Sequence, residues 1–274
     1  MPAQKISTEQ LAALNSLCIE RLSSQEQNLR DIEFFASKRG ESLIHTLQNE
    51  AFEEDSNGTA AYYLVRTVSG DILCYFSLKA GLLFSKSIDL EALETKKKLS
   101  YLLDRRKLLS DKPEESVLLK KDLDKSICEL KQDLAKWIEF SDADNIHKRV
   151  SKTYPAIELV HFCVNDHHRQ YWEELKLGEK NSIGITVFWH IIAKLVLKIS
   201  SLLGVEYLFL FAADNTPDRE LVNHYKTNFK FDKPAEMFTT LPIYDFGCEF
   251  LCQNLHSLKD GRKNFYSNFN ATEE

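Results

Sequence analysis

Small residues stand directly before a long apolar segment near the middle of the chain. The stretch from Glu158 to Ile192 runs ELVHFCVNDHHRQYWEELKLGEKNSIGITVFWHII, and its apolar part begins at Ser182-Ile183-Gly184. The start of a helix offers unpaired N–H groups and a partial positive charge, and small residues let the backbone come close to an anion. The junction is therefore either a phosphate-binding turn or an ordinary turn between two core elements.

Two titratable side chains interrupt the strand-like run that precedes this junction. Glu158 lies among apolar residues, where a carboxylate must be paired, protonated or exposed at an edge. His161 follows three residues later, and strict alternation along a strand places it on the opposite face. Glu158 is a candidate for proton transfer, and His161 is an alternative relay.

Other chemistries have no support in the sequence. Cys248 and Cys252 are four residues apart, but no second pair with zinc-like spacing accompanies them, and both are interpreted as core thiols. His167 and His168 are neighbours whose side chains diverge, without an adjacent acidic or cysteine partner at the usual ligand spacing. No P-loop, nucleophile elbow or dinucleotide fingerprint occurs. A metal site, a kinase, a hydrolase and a dehydrogenase are therefore not predicted.

The composition is that of an ordinary globular protein. Of the 274 residues, 43% are hydrophobic and 28% are charged, and the net charge is −6. This acidic balance disfavours nucleic-acid binding, which needs cationic residues against phosphates. Scattered cysteines, no apolar leader and an apolar run broken by His190, Lys194 and Lys198 predict a cytoplasmic protein without a membrane anchor.

Residues 1–86 predict helices followed by an antiparallel hairpin. Leucines at 11, 14, 17 and 22, and a second apolar pattern over 40–54, have helical spacing. Two runs rich in aromatic and β-branched residues, 61–68 and 72–84, flank Ser69-Gly70-Asp71, a sequence typical of a hairpin turn.

Residues 87–152 differ in composition from the rest of the chain. Charges of alternating sign and leucines at steps of three and four predict solvent-exposed helices, including one over 119–138. The turn sequence Asp111-Lys112-Pro113-Glu114 separates two of them. The segment is predicted to be an inserted helical hairpin that serves as a solvated arm or a dimerisation element.

Residues 153–274 predict a strand, a helix and a second strand over 156–164, 183–203 and 205–213. This order is that of a crossover between two parallel strands. A short helix over 219–228 and strand-like segments near Pro234 and Pro242 finish the fold. The predicted fold class is α/β, a mixed sheet of an antiparallel hairpin and parallel crossover strands flanked by helices, with the helical hairpin inserted.

This order and three local motifs resemble the GCN5-related N-acetyltransferase (GNAT) family over residues 40–86 and 153–250. LVNHYKTNFKF resembles the family's helix-to-strand signature, with Tyr225 in place and Lys230 where the family has glycine. SGDILCYFSLKAG resembles the family's hairpin, with Cys74 in place of a glycine. ELVHFCVN resembles the central strand that carries acetyl-coenzyme A (acetyl-CoA).

The resemblance implies a pyrophosphate-binding loop before the long helix. Its members would be Lys180, Asn181, Ser182, Ile183 and Gly184. Gly184 matches the family pattern, Ser182 takes the place of another glycine, and Glu179 stands where the family has Gln or Arg. Asn215, at the end of the second crossover strand, would also lie near acetyl-CoA.

The resemblance also implies the parts of an acetyl-transfer site. Transfer to an amine needs a base for the attacking nitrogen, donors for the oxyanion and an acid for the leaving thiolate. Backbone groups of Phe162, Cys163 and Val164 would hold the pantetheine and polarise the thioester. Glu158 would act as the base, and Tyr225 would protonate the coenzyme A sulfur.

Two functions are compatible with these features. The first is an acetyl-CoA-dependent N-acetyltransferase acting on a primary amine of a small molecule, a protein or an aminoacyl-tRNA. The last acceptor is included because residues 41–65 resemble acetyltransferase toxins that modify aminoacyl-tRNA. The second is a non-catalytic acetyltransferase-like module that assembles through the helical hairpin, also the candidate surface for a homodimer. The replaced glycines favour the second function.

Overall fold

The chain folds into two compact units. One contains Met1–Leu83, Tyr154–Ala235 and Thr239–Glu274, and the other contains Phe84–Thr153 and Glu236–Phe238. The computed structural model describes residues 7–85, 95, 98–103, 105–106, 109, 117–137, 153–174, 181–214, 216, 218–234, 237–239 and 248–267.

A mixed sheet forms the centre of the first unit. In chain order the strands are β1 (Cys18–Arg21), β2 (Ala61–Arg66), β3 (Ile72–Ser85), β4 (Thr153–Val164), β5 (Tyr207–Ala213), β6 (Met237–Phe238) and β7 (Cys248–Asn254). Their order in the sheet is β1-β2-β3-β4-β5-β7, and β6 pairs with the end of β3 within the second unit. β4 and β5 are parallel, whereas the β1–β2, β2–β3 and β5–β7 pairs are antiparallel. The predicted fold class is confirmed.

Helices cover both faces of this sheet. In chain order the α-helices named within the described residues are α1 (Thr8–Asn15), α2 (Gln27–Asp31), α3 (Glu41–Asn49), α4 (Ala51–Ser56), α5 (Val117–Trp137), α6 (Arg169–Glu174), α7 (Ile183–Leu203), α8 (Glu220–Phe229) and α9 (Leu255–Ser267). On one face, Leu47 of α3 and Ala51 of α4 pack on Tyr62 and Tyr75. On the other face, α7, α8 and α9 share a larger core with β3, β4 and β5.

The predicted hairpin and crossover are confirmed. β2 and β3 pair across a turn in which Gly70 has φ of 93°, a left-handed conformation that favours glycine. α7 joins the parallel strands β4 and β5 as the long apolar run predicts. The apolar pattern over 40–54 forms α3 and α4, which meet at Glu50.

The first residues were predicted to be helical throughout, and this is wrong for residues 18–21. They form β1, which pairs with β2 at the sheet edge. A buried carboxylate fixes this strand: Asp55 accepts hydrogen bonds from Arg21 Nε (2.8 Å) and from the Ser23 and Tyr62 amides (2.8 and 2.7 Å). Burial by itself raises the pKa of Asp55, but these hydrogen bonds outweigh it, and the pKa is lowered.

The C-terminal helix α9 was not predicted. Gly261 lies in its interior, where glycine lowers helix propensity. The indole of Trp189 occupies the place of the missing side chain, because a Cβ at position 261 would lie 2.4 Å from a Trp189 ring atom. The glycine therefore serves the packing of α9 on α7.

A π turn, Phe188–Ile192, interrupts the α-helical pattern of α7. Such a turn leaves backbone groups without helical partners. Arg262 Nε from α9 donates to the Trp189 carbonyl at 3.1 Å, and Nδ1 of buried His190 lies 2.6 Å from the Tyr266 hydroxyl. By length and mean hydropathy (1.6) α7 could cross a membrane, but 56% of its apolar window is buried inside the protein, as in a core helix.

The second unit contains α5 where leucine spacing predicts a helix. Leu123 and Ile127 are buried on one side of it, four residues apart. Residues 98–103 are also helical. The turn predicted at residues 111–114 lies outside the described residues, and the helical hairpin as a dimerisation element stays a prediction.

Lys230 stands in a backbone conformation that suits glycine. It ends α8 with φ of 62° and ψ of 26°, in the left-handed region, and its amide donates to the Tyr225 carbonyl. This conformation costs a non-glycine residue about 1–2 kcal/mol. Lys230 thus makes a helix-ending turn in which a glycine would be unstrained.

We predict that Lys230→Gly stabilises the protein by about 1 kcal/mol, because glycine adopts this cap without strain. Lys230→Ala is the control, since alanine keeps the strain and loses only the exposed bond from Lys230 Nζ to the Thr227 carbonyl. Denaturant unfolding of both variants measures the effect. Equal stability of the glycine and alanine variants would contradict the account of this cap.

Candidate active site

The parallel pair β4–β5 separates soon after it begins. Its ladder contains three pairs, Ala156–Tyr207, Ile157–Leu208 and Glu158–Phe209. β4 nevertheless continues to Val164 and β5 to Ala213. Residues 159–164 therefore have an edge without ladder partners on β5. Such an edge can accept hydrogen bonds from, and donate them to, an extended ligand.

β4 also contains one extra residue opposite β3. The Asn165 amide donates to the Leu73 carbonyl (2.8 Å), and His161 Nδ1 lies 2.8 Å from the Ser77 hydroxyl, so the two strands run antiparallel. Ser77 of β3 meets His161 of β4, and Leu159 and Phe162 of β4, three residues apart, both belong to the core under α7, which strict alternation along a strand does not allow. An insertion of this kind is a β-bulge, which re-aims side chains.

The extra residue decides which side chains share a face. Ile157 and Leu159 belong to the core under α7, and so do Phe162 and Val164, which are offset by an odd number from Leu159. The prediction that His161 points away from Glu158 is therefore wrong. His161 stacks on Tyr62, with ring centroids 5.5 Å apart, on the face that carries α3 and α4. Glu158 and His161 lie on that same face.

Cys163 points to the same face as His161. It is buried, and a Cβ at Gly40 would lie 2.8 Å from its sulfur. Burial raises the pKa of the Cys163 thiol. The Cys163 side chain is therefore turned away from the edge of β4 that has no ladder partner on β5, and only its backbone groups lie at that edge. The Phe162 ring and the Val164 methyl groups pack toward the first turn of α7.

The first turn of α7 lies beside the end of β4. Ser182 is its N-cap, and the Ser182 hydroxyl accepts a hydrogen bond from the Ile185 amide at 3.5 Å. A Cβ at Gly184 would lie 3.7 Å from Val164 Cγ2 and 3.9 Å from Phe162 Cζ. Ser182 is exposed and Gly184 is half-exposed, so the N–H groups of this turn are accessible next to the parted strand.

The other described residues of the predicted loop serve the protein's own structure. The Asn181 carbonyl accepts hydrogen bonds from Trp172 Nε1 (2.9 Å) and Thr186 Oγ1 (3.2 Å). The Ile183 side chain is buried in the core. Both hold the turn in place. Lys180 and Asn215 lie outside the described residues, so their predicted contacts with acetyl-CoA stay predictions.

Tyr225 lies on α8 with its ring against Phe229 and Phe231, at centroid distances of 5.5 and 6.0 Å. Burial raises the pKa of Tyr225 to about 12, and the nearby Cys163 thiol contributes in the same direction. The phenol is therefore protonated at neutral pH. Within the described ranges nothing hydrogen-bonds to its hydroxyl, which leaves the proton available to a ligand.

Burial raises the pKa of Glu158, and the Lys79 ammonium offsets part of this effect. Glu158 forms the last pair of the β4–β5 ladder, at the point where the gap opens. A carboxylate with a raised pKa is a stronger base than an ordinary one. The position of Glu158 at the end of the β4–β5 ladder and its raised basicity both suit proton transfer.

Sequence patterns missed the polar groups around His161. Ser77 is fully buried, and the Tyr62 hydroxyl donates to Glu54 Oε2 at 2.6 Å. Of Ser77, Tyr62 and Glu54, only Ser77 stands out in the sequence, because its hydroxyl interrupts the apolar run ILCYFSL. Neither Tyr62 nor Glu54 departs from the pattern of its element.

A separate cleft of 810 Å³ opens at the hairpin-turn end of the sheet. Arg66 lines it and is already bonded to Glu20, Asp31, Asn28 and the Gly70 carbonyl. The cleft contains none of the predicted site residues. We therefore place the candidate site at the parted strands and not in this cleft.

No protein-family model and no curated protein matches the chain. Similar solved structures include a mutant AtaT toxin bound to the C-terminus of the antitoxin AtaR and acetyl-CoA, with 14% identity, 89% of this chain and 96% of that chain covered, and a TM-score of 0.46. A mutant of KacT has 12% identity, coverage of 89% and 98%, and a TM-score of 0.45. AtaT complexed with acetyl-methionyl-tRNAfMet has 13% identity, coverage of 89% and 97%, and a TM-score of 0.46.

Gly184 and Gly261 make a matched pair of tests. A Cβ at Gly184 meets only ordinary contacts, so we predict that Gly184→Ala raises stability by up to about 1 kcal/mol. A Cβ at Gly261 collides with Trp189, so Gly261→Ala should lower stability by about 1–3 kcal/mol. Denaturant unfolding compares the two. A destabilised Gly184→Ala variant would mean that this glycine serves packing and not access to the backbone.

Proposed function

We propose that the protein is an acetyl-CoA-dependent N-acetyltransferase. The observation that carries the proposal is the parting of β4 from β5 beyond Glu158, with the first turn of α7 beside the open end and Tyr225 on α8. An extended thioester with a phosphorylated end needs three features together. They are an unpaired strand edge for its amides, a helix start for its phosphates and an acid for its sulfur.

The residues present fit acetyl-CoA. Backbone groups of Phe162, Cys163 and Val164 would pair with the pantetheine amides, since this edge of β4 has no ladder partner on β5. Ser182 and Gly184 would take the pyrophosphate, because the described residues leave only ordinary contacts around Gly184. Ser182 can donate its hydroxyl to a phosphate oxygen. When bound, acetyl-CoA supplies the activated acetyl group.

Two side chains then move the protons that acetyl transfer requires. Glu158 takes a proton from the acceptor amine, whose nitrogen attacks the thioester carbonyl. The C–N bond forms, the C–S bond breaks, and Tyr225 gives its proton to the leaving sulfur. The protonated state of Tyr225 at neutral pH suits this role.

The acceptor is proposed to approach from the sheet face that carries α3 and α4. Glu158 lies on this face, where its side chain is only half-buried. The opposite face of β4 is occupied by Phe162 and Val164, which pack toward α7 and the proposed phosphate site. This arrangement would bring the amine and the cofactor to the reacting carbonyl from different sides of the strand.

The acceptor class stays open among small amines, protein amino groups and aminoacyl-tRNA. The last is retained because residues 41–65, which form α3, α4 and the start of β2, resemble those of acetyltransferase toxins. A screen of acceptors should therefore include aminoacyl-tRNA beside small amines and peptides.

The replaced glycines give less support to a non-catalytic module than their number suggests. Lys230 adopts the left-handed cap that a glycine would make, and Ser182 caps α7 where the family has a glycine. Cys74 is buried in the core. Because the replacements at positions 182 and 230 preserve the local backbone, an enzyme is the better proposal.

Calorimetric titration with acetyl-CoA tests the phosphate site. We predict binding that Ser182→Glu and Gly184→Glu each weaken tenfold or more, about 1.4 kcal/mol, because the added carboxylates repel the pyrophosphate. Ser201→Glu is the control, an exposed serine near the other end of α7. Equal binding by all three variants would remove the turn at 182–184 from the site, and an absence of binding by the unaltered protein would contradict the enzyme itself.

The role of Tyr225 is tested by Tyr225→Phe, which keeps the ring contacts and removes the acidic proton. We predict that kcat falls about 10²-fold or more while the KM for acetyl-CoA stays unchanged. Initial rates over a range of acetyl-CoA concentrations separate the two parameters. A rise in KM without a fall in kcat would assign Tyr225 to binding instead.

The role of Glu158 is tested by the pH dependence of kcat/KM. A base must be deprotonated, so the rate should rise with pH through a pKa above the usual 4.5 of a glutamate. In Glu158→Gln we predict a lower rate without this rise. A variant that retains the same pH profile would exclude Glu158 as the group that titrates.

A further inference from the structure

His161 is positioned by groups that the proposed function does not use. Its Nδ1 lies 2.8 Å from the hydroxyl of buried Ser77, and its ring stacks on Tyr62 at an interplanar angle of 23°. The Tyr62 hydroxyl in turn donates to Glu54 Oε2 at 2.6 Å. These contacts fix the position of the imidazole on two sides.

The remaining nitrogen of His161 is open. Within the described ranges, nothing hydrogen-bonds to Nε2, and the side chain is half-buried. A serine hydroxyl can accept from Nδ1–H in both the neutral and the charged imidazole. With Nδ1–H directed to Ser77, Nε2 carries the lone pair that can receive a proton.

Burial and a nearby charge act on the pKa of this imidazole in opposite directions. Burial lowers the pKa of His161, and the Glu54 carboxylate opposes this effect by favouring the charged form. The other titratable groups that the described residues place on this face include Asp55 from α4, which accepts from the Tyr62 amide, Tyr62 from β2, Tyr75 and Lys79 from β3, and Glu158 and Cys163 from β4.

Acetylation of an ammonium group requires more than one proton acceptor. The nitrogen loses one proton before it attacks and a second as the amide forms. Tyr225 gives one proton to sulfur, and one proton is released overall. Two acceptors on the amine's side of the site would each take one of these protons. Glu158 and His161 lie on the same face, because Ile157, Leu159, Phe162 and Val164 all face the core under α7 while His161 stacks on Tyr62.

We propose that His161, positioned by Ser77, Tyr62 and Glu54, receives the first proton of a cationic acceptor amine, and that Glu158 receives the second. In the first step an N–H bond of the ammonium breaks and an Nε2–H bond forms, which yields the free amine and an imidazolium. In the second, Glu158 takes the proton from the nitrogen as the C–S bond breaks. This assignment rests on the proposed function.

The tautomer of His161 can be measured without any activity. In the full chain labelled with ¹⁵N-histidine, we expect the His161 imidazole at pH 7 to be neutral with its proton on Nδ1. Ser77→Ala should shift the proton toward Nε2, and Glu54→Gln should lower the His161 pKa further. His190, whose Nδ1 is bonded to Tyr266, is the internal control and should not respond to Ser77→Ala. A proton on Nε2 or a charged ring at pH 7 in the unaltered protein would overturn the proposal.

The kinetic test compares His161→Gln with Glu158→Gln on the acceptor identified by the screen. Below the pKa of that amine, His161→Gln should lower kcat/KM at least tenfold. Above it the amine arrives neutral, so the His161→Gln defect should disappear while the Glu158→Gln defect remains. An equal His161→Gln defect on both sides of the amine pKa would contradict the proposed division. Failure of acetyl-CoA to bind would instead contradict the proposed function.

Discussion

The early separation of two parallel strands is the constraint on which the site depends. β4 and β5 share three pairs and then diverge, although both strands continue. Unpaired backbone groups inside a protein are costly, so an edge of this length needs a partner or water. We propose that the first turn of α7 and the α8 side chain Tyr225 lie around this one opening. Without it, the residues that suggest acetyl transfer would be parts of an ordinary crossover.

The extra residue in β4 decides which side chains face each side of this opening. It turns His161 and Glu158 to the face of α3 and α4, while Phe162 and Val164 pack under α7. The hydrophobic face of the strand thus supports the helix that would bind phosphate, and the polar face presents two groups that can accept protons. This local irregularity would separate the proposed cofactor side of the strand from the proposed acceptor side.

The parts of the fold with strong patterns could be predicted from the sequence. The β2–β3 hairpin has a glycine turn between alternating runs, and α7 and β5 are long and apolar. β1 could not be predicted, because four residues at a sheet edge carry no alternation and depend on Asp55. The sequence does not explain the glycine inside α9, because Gly261 is required by its contact with the distant Trp189. The bulge in β4 likewise depends on contacts with Ser77 and Leu73 that sequence spacing does not reveal.

Amide hydrogen exchange with and without acetyl-CoA tests the central claim most directly. If the parted edge of β4 holds the pantetheine, amides within residues 159–164 should become protected, while Ile157, already paired with β5, should change little. Binding of acetyl-CoA that leaves residues 159–164 unprotected would contradict the account, because the opening between β4 and β5 would then not be the site.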